Sequence, residues 1–193
     1  MRFVGGIDEA GRGPIIGPMV IALAVTDDMD RIKRLGVRDS KELSPRGRER
    51  LFNILKPILN YMDYEVIEPG VIDEYVRMNA LNKLEAEVTV RLITKALGSV
   101  RLYVVYVDSP DPRAERYGEL IREGVNGDVE IVSMNKADKL IPIVSAASII
   151  AKVIRDSIIN DLRREYGDFG SGYPSDPRTV RFLRDWVREH GDL

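Results

Sequence analysis

Residues 18–25, Pro-Met-Val-Ile-Ala-Leu-Ala-Val, and residues 101–107, Arg-Leu-Tyr-Val-Val-Tyr-Val, are near-continuous apolar runs of strand length. A strand with so little polar surface is covered on both faces, so the chain is constrained to a sheet with helices packed over it. The flanking pattern supplies those helices. Ser44-Pro45 places a cap and a first-turn proline before residues 46–55, where Leu51, Ile54 and Leu55 share a face. Residues 79–97 carry Leu81, Leu84, Val88, Leu92 and Leu97 near helical spacing and stop at Gly98. Residues 112–123, 143–166 and 179–190 read as further helices, the second ending at Gly167 and the third beginning after Asp176-Pro177. Short strands are expected at 3–8, 61–67 and 129–133. The order predicts an α/β fold: a mixed central sheet flanked by helices, closing with C-terminal helices. No repeat or low-complexity linker divides residues 1–193, so one domain is expected.

Residue types limit the chemistry. The chain has no cysteine and one histidine, His190. Disulfides, zinc–cysteine sites, iron–sulfur clusters and thiol nucleophiles are excluded. A Ser-His-Asp triad would depend on His190 alone. No apolar run reaches the ~18 residues of a membrane span, and the first residues lack a signal h-region, so a cytoplasmic protein is expected. Chemistry is left to carboxylates, hydroxyls, Lys, Arg and a hard metal ion.

The formal charge of −2 hides an uneven distribution. Residues 31–56 hold nine Lys or Arg against Asp39, Glu42 and Glu49, a local +6. Such a block reads either as a solvated helix face or as a surface for phosphates.

Carboxylates stand at strand ends. Asp8-Glu9 closes the first strand, Asp108 closes the strand at 101–107, and Asp138 follows the strand at 129–133. Open α/β sheets place their sites at the carboxyl ends of strands. Carboxylates are poor strand residues and costly to bury, so they read either as separate turn residues or as one acidic cluster. A cluster repels itself unless a cation occupies it, and oxygen ligands suit Mg²⁺ or Mn²⁺. In a regular strand Asp8 and Glu9 face opposite sides, so a shared site requires the strand to break, which Ala10-Gly11 permits.

Gly5 to Pro14 is not a dinucleotide loop. Gly11-Arg12-Gly13 runs into Pro14, and carboxylates directly before it would repel a pyrophosphate. Glycines around Arg12 read as backbone brought close to a ligand, or as a hairpin turn.

The segment Gly6-Ile7-Asp8-Glu9-Ala10-Gly11-Arg12-Gly13-Pro14 resembles the ribonuclease HII family in its archaeal form. The likeness continues in order through Asp39-Ser40-Lys41-Glu42-Leu43-Ser44, Val107-Asp108 and Lys136-Ala137-Asp138. It extends through residues 144–152 and through Gly170-Ser171-Gly172-Tyr173-Pro174-Ser175-Asp176-Pro177. The resemblance implies an RNase H-like fold and an endonuclease that cuts the RNA strand of RNA–DNA hybrids and the 5′ side of single ribonucleotides in duplex DNA. By position, Asp8, Glu9, Asp108 and Asp138 would hold two Mg²⁺ or Mn²⁺ ions. Gly11, Arg12 and Gly13 would lie against the ribonucleotide, and Tyr173 would pack on its neighbouring sugar and bond the 2′-OH. By analogy Lys41, Ser145, Ser148 and Lys152 would contact phosphates. The Asp-Ser-Lys motif turns the basic block toward duplex contact.

Asp111 is a rival to Asp108, whose place at the strand end favours it. The chain stops at Glu189-His190-Gly191-Asp192-Leu193, where many members continue with duplex-clasping helices and archaeal ones carry a clamp-binding tail. That region is expected to be absent, which leaves sliding-clamp contact open. The implied enzyme is a monomer, with no membrane partner. Another RNase H-like nuclease and an inactive hybrid-binding module are the alternatives.

Overall fold

A computed structural model describes residues 2–37 and 43–191. The chain runs β1 (Phe3–Ala10), β2 (Met19–Thr26), α1 (Met29–Arg34), α2 (Pro45–Leu55), β3 (Tyr61–Ile67), α3 (Pro69–Arg77) and α4 (Leu81–Leu97). It continues through β4 (Leu102–Asp108), α5 (Ala114–Gly124), β5 (Glu130–Met134), α6 (Ala137–Leu140), α7 (Pro142–Tyr166) and α8 (Pro177–His190). The five strands form one sheet in the order β3-β2-β1-β4-β5. β1–β2 and β2–β3 are antiparallel, whereas β1–β4 and β4–β5 are parallel. The expected mixed sheet is therefore present, with its parallel half built from the β–α units.

Both faces are covered. β2 is buried along its whole length, as its unbroken apolar run requires. On one face α7 crosses β1 and β2, with α1 and α2 packed against it. Val20, Ala22, Leu55, Ile143, Ala147 and Ile150 lie in this core. On the other face α4 and α5 pack together, and Leu23, Val88, Leu92, Val105, Val107 and Ile121 lie in the second core.

Three short helices escape the sequence pattern. α1 is capped by Asp28, whose carboxylate accepts from the Arg31 N–H at 2.8 Å. α3 starts at Pro69, a residue that closes β3 and also suits the first turn of a helix. α6 follows Lys136, which sits in the left-handed region at φ 60°. No described helix is long and apolar enough to cross a membrane.

Candidate active site

β1 and β4 are parallel neighbours at the centre of the sheet, and Ile7 pairs with Val107. The next residue on each strand is an aspartate, so register alone brings Asp8 and Asp108 side by side. Asp108 in turn pairs with Met134 on β5, and the turn beyond β5 leads to Asp138 on α6. Among the described residues, Asp8, Asp108 and Asp138 bring one carboxylate oxygen each to within 4.8 Å of one another. Asp8 and Asp138 are both 5% exposed.

Neighbouring groups fix these carboxylates. The Ala137 N–H donates to Asp108 Oδ1 at 2.7 Å, tying the start of α6 to the end of β4. Asp8 Oδ1 accepts from the Glu9 N–H at 2.8 Å, and the Ser148 hydroxyl of α7 bonds the Asp8 carboxylate. Burial holds the Asp8 carboxyl well above the ordinary carboxylate range, and the charges of Glu9 and Asp108 raise it further. Glu9 is pushed up to about 7, first by burial and then by the charges of Glu85 and Asp108. Crowded, desolvated, all-oxygen ligands of this kind fit a hard divalent cation, which would offset their mutual repulsion.

Glu9 stands apart from that trio. β1 does not break at Asp8-Glu9 but continues paired with β2 to Ala10, where Ala10 meets Val20. Adjacent side chains on an unbroken strand face opposite sides. Asp8 accordingly meets Ser148 on α7, while Glu9 feels Glu85 on α4 and Arg12. The Asp108 charge raises both carboxyls, and the Glu9 charge raises that of Asp8.

The Gly11–Gly13 segment leaves the end of β1 and forms one wall of a cleft of about 640 Å³. Gly11 has φ 100°, and a Cβ there would sit 2.4 Å from Arg155 Nε. Arg155, buried on α7, donates from Nε to the Pro18 carbonyl at 2.9 Å and from Nη2 to the Ile16 carbonyl at 3.0 Å. The Ile15 N–H donates to the Gly172 carbonyl at 2.8 Å, joining this loop to the one that carries Tyr173. The Tyr173 ring, 45% exposed, lies 3.2 Å from where a Gly13 Cβ would be. Arg48, Lys152 and Arg163 line the same cleft with Glu9 and Asp156, so its charge is mainly cationic.

The other candidates fall in three places. Ser145 and Ser148 are fully buried in the first turns of α7. The Ser145 hydroxyl donates to the Asp138 carbonyl, and Ser148 accepts from Lys152 Nζ at 2.8 Å. Lys41 lies outside the described residues. Asp111 takes no part in the trio. It accepts from the Arg113 N–H at 2.8 Å and from Asn82 Nδ2 at 3.2 Å, and the first of these bonds leads in holding its carboxyl below the ordinary range. His190 stacks on Trp186 with ring centroids 4.0 Å apart.

Sequence reasoning passed over Arg48, Arg155, Glu85 and Asn82. Two of them carry a signal. Glu85 stands four residues after Leu81 on the apolar stripe of α4, and Arg155 stands between Ala151 and Ile159 on that of α7. A charge on a buried stripe needs a partner.

The family model described as Ribonuclease HII matches residues 5–192. The chain belongs to the ribonuclease HII family. It is thereby a ribonuclease H enzyme. A Ribonuclease HII of Thermofilum pendens is 50% identical over 197 residues, covering 100% of this chain and 92% of that protein. The solved ribonuclease H2 of Pyrococcus horikoshii superposes with a TM-score of 0.91 at 45% identity, covering 99% of this chain and 90% of that one. A PCNA:RNase HII complex from Archaeoglobus fulgidus gives a TM-score of 0.89 at 39% identity, with 98% and 89% covered. The RNase H-like architecture expected from the motifs is the one observed.

Proposed function

We propose that the chain is an endoribonuclease that cuts the RNA strand of RNA–DNA hybrids and the 5′ side of single ribonucleotides in duplex DNA. The products carry 3′-OH and 5′-phosphate ends, and residues 1–193 act as one catalytic domain. One observation carries this reading: three carboxylates from separate elements meet within 4.8 Å, and Glu9, next in the chain to one of them, lines a cleft with Arg12, Arg48, Lys152 and Arg163. Acid for metal and base for phosphate are thus side by side.

Asp8, Asp108 and Asp138 would hold one Mg²⁺ or Mn²⁺ ion. Glu9, raised by the Asp108 charge, would share a second. When bound there, such ions would supply activation of the attacking water and charge stabilisation at the leaving 3′ oxygen. The chain's own residues do the placing. Ala137 and Ser148 hold the Asp108 and Asp8 carboxylates in orientation. Arg12, Lys152 and, by analogy, Lys41 meet backbone phosphates, while Ser145 and Ser148 support the carboxylate floor from within α7. Gly11 and Gly13 let the backbone approach the ribonucleotide, where a side chain would strike Arg155 or Tyr173. Tyr173 then offers its ring to the sugar and its hydroxyl to the 2′-OH, the group that separates RNA from DNA.

The test is cleavage mapping with Mg²⁺ on a full hybrid and on a duplex holding one ribonucleotide. Nicking 5′ of that ribonucleotide is the expected result. Equal cutting of an all-DNA duplex overturns the assignment in favour of another nuclease, and binding without cleavage overturns it in favour of an inactive module.

A further inference from the structure

We propose that Glu85 is a positioning residue for Arg12, a buried carboxylate that fixes the guanidinium at the mouth of the cleft so that its remaining donors meet a substrate phosphate. The proposal rests on the reading above, in which the cleft takes a ribonucleotide-containing duplex.

Glu85 lies on α4 and its side chain is 1% exposed, while that of Arg12 is 32% exposed. Arg12 Nη1 donates to Glu85 Oε1, and Arg12 Nη2 donates to Asn82 Oδ1 at 2.7 Å. Asn82 then donates from Nδ2 to Asp111, on the loop that follows β4. Arg12 is thereby tied to two side chains of α4 and, through Asn82, to the loop that follows the strand carrying Asp108. A carboxylate on a buried helical stripe costs stability unless a cation answers it, so packing alone does not account for Glu85. What the pair provides is direction. Arg12 lines both the cleft and a second groove bounded by Asn79, Lys83 and Arg116. An arginine on such a ridge could fold into either groove, and the bonds to Glu85 and Asn82 hold it between them. The planar fork keeps further N–H donors for a phosphate after these bonds are made.

A positioning role and a bulk-charge role predict opposite signs. Deleting a carboxylate beside the cleft would tighten duplex binding if only charge mattered. If Glu85 positions Arg12, deletion weakens it.

Steady-state cleavage of a single-ribonucleotide duplex with Mg²⁺ should be measured for the wild type, R12A, E85A, E85Q and R12A/E85A, each checked by thermal melting. E85A is expected to raise KM roughly tenfold, the scale of one lost charge-assisted hydrogen bond, with a smaller fall in kcat. E85Q, which keeps an acceptor in place, recovers most of the loss, and E85A adds nothing in the R12A background. A lower KM in E85A, or losses that multiply in the double variant, overturn the proposal while wild-type cleavage stands. Should E85A not fold, E85M, which fills the space and removes the acceptor, takes its place in the same cycle: independent losses overturn the proposal, and shared ones support it. A wild type that leaves the duplex intact overturns the substrate reading itself.

Discussion

Gly6 on β1 lies so close to Ile143 at the start of α7 that a Cβ on Gly6 would sit 2.5 Å from the Ile143 carbonyl oxygen. The obstacle is backbone, which cannot rotate away. This contact sets the height of α7 above the sheet, and with it the approach of Ser148 to Asp8. Gly6→Ala is therefore expected to push α7 outward and to cost about 3 kcal/mol, at the upper end for overpacking. The melting temperature should fall by roughly 6–12 °C for a domain of this size. Calorimetry checks the stability, and cleavage should fall further than the unfolded fraction explains, because the carboxylate floor is displaced.

The acidic cluster gives the metal-free protein a pH dependence of definite sign. The Asp8 and Glu9 carboxyls titrate above their unfolded values, Glu9 at about 7 against 4.5. Between those limits the folded chain binds more protons than the unfolded one, so stability falls as pH rises. The Glu9 penalty is absent below about pH 4.5 and complete above about pH 7. Glu9 alone contributes on the order of 3–4 kcal/mol at about 1.4 kcal/mol per pH unit. Melting temperatures in EDTA should drop from pH 5 to pH 8. Mg²⁺ or Mn²⁺ should restore more at pH 8 than at pH 5, because a cation binds the ionised carboxylates. Equal metal stabilisation at both pH values would contradict this picture.

Asp8→Asn and Asp108→Asn should separate folding from chemistry. Each removes one charge from a self-repelling group while preserving shape. Cleavage is expected to fall by roughly a thousandfold or more, the scale for losing a preorganised charge contact. The metal-free melting temperature should stay level or rise. An active Asp8→Asn enzyme would remove Asp8 from the metal site.

Tyr173 is exposed and packs beside Gly13, so its truncation touches little of the core. Tyr173→Ala should leave stability within about 0.5 kcal/mol, as for surface substitutions. Its main effect should be on duplexes with one ribonucleotide, where a single 2′-OH carries the recognition. Tyr173→Phe isolates the hydroxyl from the ring. An equal loss on hybrid and single-ribonucleotide substrates would make the residue structural.

The parts of the fold legible in the sequence are those with a strong period. The apolar runs of β2 and β4 and the helical stripes of α4 and α7 named their own elements. α1 and α6 span six and four residues, too short for a period to show. α3 is longer, but its Pro69-Gly70 start reads equally as a turn. Asp8, Asp108 and Asp138 were legible because strand ends are few and carboxylates there are conspicuous. What they do together was not, since that depends on the Ile7–Val107 register of two strands nearly a hundred residues apart. Glu9 shows the limit from the other side. Its carboxylate stays outside the Asp8–Asp108–Asp138 trio although its charge raises the Asp8 carboxyl, and only the structure shows that β1 stays paired to Ala10. Arg155 and Glu85 escaped because a lone charge on an apolar stripe names no partner.

Arg155 makes the last of these points testable. Its guanidinium answers two carbonyls, Ile16 and Pro18, and its side chain fills the space behind Gly11. It therefore fixes the loop that presents Arg12 and, through the Ile15 bond to Gly172, the distance to Tyr173. Arg155→Met keeps the stem and removes both bonds, leaving two carbonyls with fewer donors. The expected cost is about 2–3 kcal/mol, read as a shift in the denaturation midpoint at unchanged slope. Arg155→Lys should recover little, because a single ammonium cannot span two carbonyls in the way a planar fork does. Both variants should raise KM for the single-ribonucleotide duplex, since the loop and Tyr173 lose their common anchor. If Arg155→Lys matched the wild type in KM and stability, packing rather than the fork would hold the loop, and Gly11 would be the residue that sets its path.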